Sequence, residues 1–254
     1  MGQKTRPRTE TQAFWAPWTF GPTIHKDHRR SMQSFLDRFI ALIKWPIGFS
    51  ALMFLPSLVV AWLLAIVPLH AQEAFLPVAG GFLGYGVLWF FIFRQRQAGS
   101  FLPTFFHELT HALFAVLTFH RVAGFRAGWS TGGRIAIEGE PNWLILVAPY
   151  FFPLAPILAA CLVLVGPPGW TTYCLGAFGA VLAFHILATA RDIHRQQKDL
   201  QEVGFPFAWS FLPAANLLTL GMILAATIGE DGTVSVFLNE TCDILAQWGS
   251  QLGG

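Results

Sequence analysis

Charge is what this chain has least of. Asp, Glu, Lys and Arg make up 12% of its residues, about half the share of a soluble domain. Between Trp45 and Phe93 the only formal charge is Glu73, and between Asn142 and Ala190 there is none. Stretches this long and apolar argue against a soluble fold and read as membrane spans. Cysteine is scarce as well. The three cysteines, at 161, 174 and 242, show no C-x-x-C or paired spacing, which excludes a disulfide framework and a Cys-based metal site. No internal repeat or low-complexity segment occurs. Lys and Arg stop at Lys198, so the last stretch is acidic, with Glu230, Asp231, Glu240 and Asp243. The net charge of +2 carries no nucleic-acid footprint, and no nucleic-acid partner is expected.

What is present is mostly apolar helix. Residues 1–34 form a polar, basic tail, with Trp15 and Trp18 suited to a membrane interface. Residues 31–44 place Met32, Phe35, Leu36, Phe39, Ile40 and Ile43 at helical spacing, which predicts an amphipathic helix lying on the membrane and stopped by Pro46. Apolar runs follow at about 47–69, 74–93, 103–120, 142–165, 170–190 and 207–228. Pro149, Pro153 and Pro156 predict a kinked or broken helix in the fourth run. Basic flanks put the N-terminal tail, the 94–100 loop and the 191–204 segment on the cytoplasmic side. Three runs between two points on the same side require one that does not cross, either 103–120 or 142–165. The expectation is an all-α polytopic membrane protein with about five to six membrane segments and a small β-hairpin-like insertion after 103–120. Gly132-Gly133 is the expected turn of that hairpin, and RIAIE an edge strand. The division is a tail over 1–34, a membrane-embedded domain over 35–228 and an acidic C-terminal tail over 229–254.

One apolar run carries chemistry. FFHELTHALF, residues 105–114, sets His107 and His111 one helical turn apart on one face, where both imidazoles reach one metal ion. Glu108, beside the first histidine, is placed to act as general base toward a metal-activated water. This is the H-E-x-x-H pattern of zinc hydrolases. Two histidines and a glutamate bonded to neighbouring helices are the plainer alternative, but ionisable groups inside a membrane are costly and usually functional. A catalytic zinc site needs a third protein ligand. Downstream stand His185, Asp192, His194 and Asp199, and spacing alone does not choose among them. His185 reads as a bonded histidine within its span.

HELTHALFAVLTFHRV, a glycine-rich piece, APYFFPL and QKDLQEVGFPF together resemble the M50 family of membrane-embedded metalloproteases, the site-2 protease class, and its compact bacterial M50B-like group. The resemblance covers roughly residues 100–220. It implies that an Asp on a later membrane segment completes a Zn²⁺ site with His107 and His111, a role carried onto Asp199 with Asp192 in reserve. The family's NPDG or LDG element is absent, since Leu200 follows Asp199. The resemblance further implies an intramembrane protease acting on transmembrane or juxtamembrane segments of other proteins, with Glu108 catalytic, multi-pass in a bacterial cytoplasmic membrane with its N terminus inside. A catalytically silent M50-like scaffold and a metal or proton transporter using the same polar residues are the rival readings. Substrate identity and oligomeric state are not written in the sequence.

Overall fold

The structure is a computed structural model that describes residues 25–94, 101–128 and 132–252; Trp15 and Trp18 lie outside them. The chain opens with α1 (His25–Ala61), which runs on through a π turn at Trp62–Ile66 and a 3-10 turn at Val67–Ala71. Pro46 and Pro56 lie inside α1, so Pro46 does not stop it as the sequence predicts. A proline removes one hydrogen bond of the helix, a cost that flanking contacts on both sides outweigh. Ile40 is buried on one side of Pro46, and Leu58 and Ala61 on the other. The expected surface helix is also inverted. Phe35 and Leu42 are exposed, while Asp37 and Lys44 are half-buried and find partners inside. Asp37 accepts from Asn142 Nδ2 at 2.8 Å, and Lys44 Nζ donates to the Val203 carbonyl at 2.8 Å.

Helix α2 (Phe75–Leu88), extended by a π turn at Trp89–Phe93, lies along α6 (Thr171–Asp192). Glycine makes that approach possible: a Cβ on Gly81 would strike the Gly176 carbonyl, and one on Gly179 the Val78 carbonyl. Small residues of this kind let helices in membranes gain close van der Waals contact. Between them come α3 (Phe101–Leu117) and an antiparallel hairpin, β1 (Arg121–Gly128) and β2 (Gly132–Glu138), with Phe125 opposite Ile135 and an irregularity between Val122 and Gly124. Gly132 and Gly133 open β2 instead of forming the turn, because the register pairs Gly128 with Gly132. The hairpin loop, 129–131, lies outside the described residues.

The proline-rich run is broken as expected. Helix α4 (Trp143–Val147) passes into a 3-10 turn at Ala148–Tyr150, and α5 (Leu154–Val165) departs at 62°. After α6 come the six-residue α7 (Lys198–Val203), α8 (Phe205–Ile228) and α9 (Thr233–Leu252). The segment read as an acidic tail is therefore a helix, anchored by Phe237, fully buried in the main core beside Leu58, Phe178 and Ile223. A second cluster joins Ile40, Trp143, Tyr150, Leu200 and Phe207, and a third joins Phe114, Ala115, Ile145 and Ala148.

Among the described residues four helices are long and apolar enough to cross a membrane, and the bent pair α4–α5 makes a fifth. Helix α3, at 17 residues, spans about 26 Å, slightly less than a bilayer core. The chain is thus an all-α polytopic membrane protein with one small hairpin. Gly179→Leu is expected to lower stability in detergent by about 1–3 kcal/mol or more through overpacking, measured by thermal unfolding. Gly80→Leu, one residue from Gly81 but facing open space, should stay within about 0.5 kcal/mol.

Candidate metal centre

Helix α3 is the platform. Its Phe114 and Ala115 are buried against Ile145 and Ala148 of the broken segment, which fixes the helix in rotation. His107 and His111 then face the same way, with their Nε2 atoms 3.1 Å apart. Each Nε2 lies 3.4 Å from Oδ2 of Asp199, the second residue of α7. Among the described residues these three are the one cluster of His, Cys, Asp and Glu whose ligand atoms converge, and the group could hold a metal ion. Donor atoms bonded tetrahedrally to one zinc at 2.0–2.1 Å stand about 3.3 Å apart. The observed separations of 3.1, 3.4 and 3.4 Å fit that figure. Burial pushes the Asp199 carboxyl up, but the two imidazoles aimed at it outweigh burial and hold it below the usual carboxylate range.

The ring tautomers follow from what lies behind them. His111 Nδ1 sits 2.8 Å from the Ile145 carbonyl, which can only accept. Nδ1 therefore carries a proton, which leaves Nε2 the nitrogen that would present its lone pair to a metal held there. The carbonyl is available because of the sequence. In a helix Ile145 would bond to the residue four positions on, and that residue is Pro149, which has no N–H. The Ala148 amide is spent on the Leu144 carbonyl. The break frees two more carbonyls, and α8 receives both: Asn216 Nδ2 donates to Tyr150 O, and Thr219 Oγ1 to Phe151 O, each at 2.9 Å. The Tyr150 hydroxyl donates to Asp199 Oδ2 at 3.0 Å.

Glu108 faces the hairpin. Gly133 lies so close that a Cβ there would meet the Glu108 side chain and the Thr104 methyl. Strand β2 thus forms one wall of a groove of about 460 Å³, whose lining includes Ile135, Ile137, Leu146, Glu202 and the site residues His111 and Asp199. A second, smaller cavity of about 30 Å³ lies between α3 and α6, lined by His107, Thr110, His185 and Asp192 among others.

The sequence candidates separate clearly. His107, His111 and Asp199 converge, with Glu108 beside them. Asp192 does not join the ligand atoms: its Oδ2 lies 3.7 Å from Nδ1 of His107, the nitrogen on the far side of the ring. His194 is exposed and accepts from the Gln196 amide in its own loop. His185 is buried in its span as expected, but among the described residues its Nε2, which borders the smaller cavity, has no hydrogen-bond partner, so the bonded state read from the sequence is not seen at that nitrogen. Sequence reasoning missed Tyr150, Asn216 and Thr219. It read Pro149 as a kink without following the kink to the carbonyl four residues earlier.

Residues 87–196 match the family described as Peptidase M50B-like. The match takes in α3, the hairpin, the broken segment and α6, and ends three residues before Asp199. No curated protein and no solved structure matches the chain.

The freed carbonyl generates a prediction. Pro149→Ala restores an amide that competes for Ile145 O, and metal binding should weaken by about tenfold. Chelator competition on the purified protein measures this, with Pro167→Ala, in the exposed turn before α6, as the unaffected control.

Proposed function

From the match of residues 87–196 to the Peptidase M50B-like family we propose that this integral membrane protein is a zinc endopeptidase of that family, hydrolysing peptide bonds in or beside transmembrane segments of other proteins. The observation that carries the reading is the convergence of His107 Nε2, His111 Nε2 and Asp199 Oδ2 beside Glu108, in a chain of which only 12% is charged. Zinc held by these three residues supplies Lewis acidity toward water and a peptide carbonyl.

The chain's own groups do the rest. Glu108 takes a proton from the attacking water and returns it to the leaving amine, which is the work of a general base and then a general acid. Strand β2 confines the Glu108 side chain, since a Cβ at Gly133 would collide with it. A helical substrate hides its peptide bonds in its own hydrogen bonds, so it must be drawn out before attack. Strand β2 is half of a two-stranded sheet, and its outer edge offers an extended segment a partner. The apolar groove wall formed by Ile135, Ile137 and Leu146 suits the apolar side chains of such a segment. On this reading the substrate reaches the groove from the bilayer, and the basic N-terminal flank favours a cytoplasmic N terminus.

Glu108→Gln should keep its zinc, one ion per chain, and lose cleavage of tagged single-span membrane proteins by about 10²-fold or more. Retained cleavage by Glu108→Gln would overturn the mechanism. Asp199→Ala should lose the zinc itself, read by metal analysis of detergent-purified protein.

A further inference from the structure

The two histidines differ in what stands behind them. A metal-ligating imidazole needs its remote N–H accepted, or the ring exchanges tautomers and turns. For His111 the acceptor is the Ile145 carbonyl at 2.8 Å. For His107 the backbone offers nothing equivalent, since its own helix continues around it. Ring packing does not decide the question. The faces and edges of Tyr150 and His111, with centroids 5.3 and 4.8 Å away, set the plane of the His107 ring but are blind to which nitrogen carries the proton.

The polar group recorded against His107 Nδ1 is Asp192 Oδ2, at 3.7 Å. That distance is too short for an interposed water, which sets the groups it bridges about 4.5 Å or more apart. It is within a small side-chain adjustment of a direct hydrogen bond, and such bonds tighten when a site is loaded. Asp192 is the last residue of α6, and the break after it is what lets α7 bring Asp199 to the other side of the same ring. One imidazole is thereby gripped by two carboxylates seven residues apart, one at each nitrogen.

We propose that Asp192 is the positioning residue of His107: its carboxylate accepts a hydrogen bond from Nδ1–H, fixes the tautomer that presents Nε2 to the metal, and raises the donor strength of the ring. The assignment rests on the reading of His107, His111 and Asp199 as the ligand set. It gives Asp192 a part in metal binding without contact to the metal.

The test is zinc affinity of the full-length protein in detergent, by competition with a chromophoric chelator, together with the visible absorption of the Co²⁺-substituted protein. Wild type, Asp192→Ala, Asp192→Asn and Asp199→Ala are compared. Asp192→Ala should bind one zinc with affinity reduced about 10–100-fold and show a shifted Co²⁺ spectrum. Asp192→Asn keeps an acceptor oxygen in place and should recover most of the affinity and the spectrum. Where Asp192→Ala does not fold, the isosteric Asn variant carries the test: it must fall measurably below wild type while keeping one zinc. Wild-type affinity and spectrum in the Ala variant, or in the Asn variant where that stands alone, overturn the proposal and leave the ligand set intact. Loss of all zinc from Asp192→Ala with retention in Asp199→Ala makes Asp192 a ligand and overturns both. Failure of the wild type to take up zinc or Co²⁺ overturns the underlying reading and this proposal with it.

Discussion

A backbone carbonyl without a partner is expensive in a membrane, and the rest of this structure is arranged around three of them. The prolines of the 142–165 run break the helix and release the carbonyls of Ile145, Tyr150 and Phe151. Each finds a side-chain donor on another helix: His111 from α3, Asn216 and Thr219 from α8. The first of these bonds also fixes an imidazole. The same backbone defect thus ties three helices together and turns Nε2 of His111 toward His107 and Asp199. Polar residues that look misplaced in apolar helices are there to satisfy irregular backbone, and the irregular backbone is there to shape a site.

The third ligand depends on packing of a different kind. Six residues of helix have little stability of their own. Helix α7 is placed by burying Leu200 and Val203 in the cluster that holds Ile40, Trp143 and Phe207, and by Lys44 of α1 donating to its last carbonyl. Helix α1 reaches the other ligand-bearing region too, through Asp37 to Asn142 and through the Ile40 carbonyl, which accepts from Trp143 Nε1 at 2.6 Å. The first helix lies before the family match begins, yet it grips both segments that hold the site in shape.

The sequence showed what lies within one helix and hid what lies between helices. His107, Glu108 and His111 were readable because a 3.6-residue period converts their spacing directly into a shared face. Asp199 could be proposed only by resemblance, since the turn between α6 and α7 decides which of two aspartates faces which nitrogen. Pro46 misled because a stop signal was read without the contacts that carry α1 past it. The charges of residues 31–44 misled for a related reason: in a bilayer the apolar face of a helix turns outward and polar residues seek partners inside. The hairpin was legible from its alternation, but its turn was placed at the glycines that the register puts in β2, where Gly133 makes room for Glu108.

The shortness of α7 has a consequence for how the protein matures. His107 and Asp199 are 92 positions apart in the chain, and Asp199 rides on a segment that is held from outside. On the proposed metal reading, a nascent chain holding only the histidines is a weak two-ligand trap. Capture of the ion must wait until α6 is inserted, α7 has turned back and α1 has closed over it. Binding that comes last stabilises only the completed arrangement, in proportion to free metal over its dissociation constant. On that reading the ion would seal the finished assembly, and metal supply would set how much of the protein survives quality control.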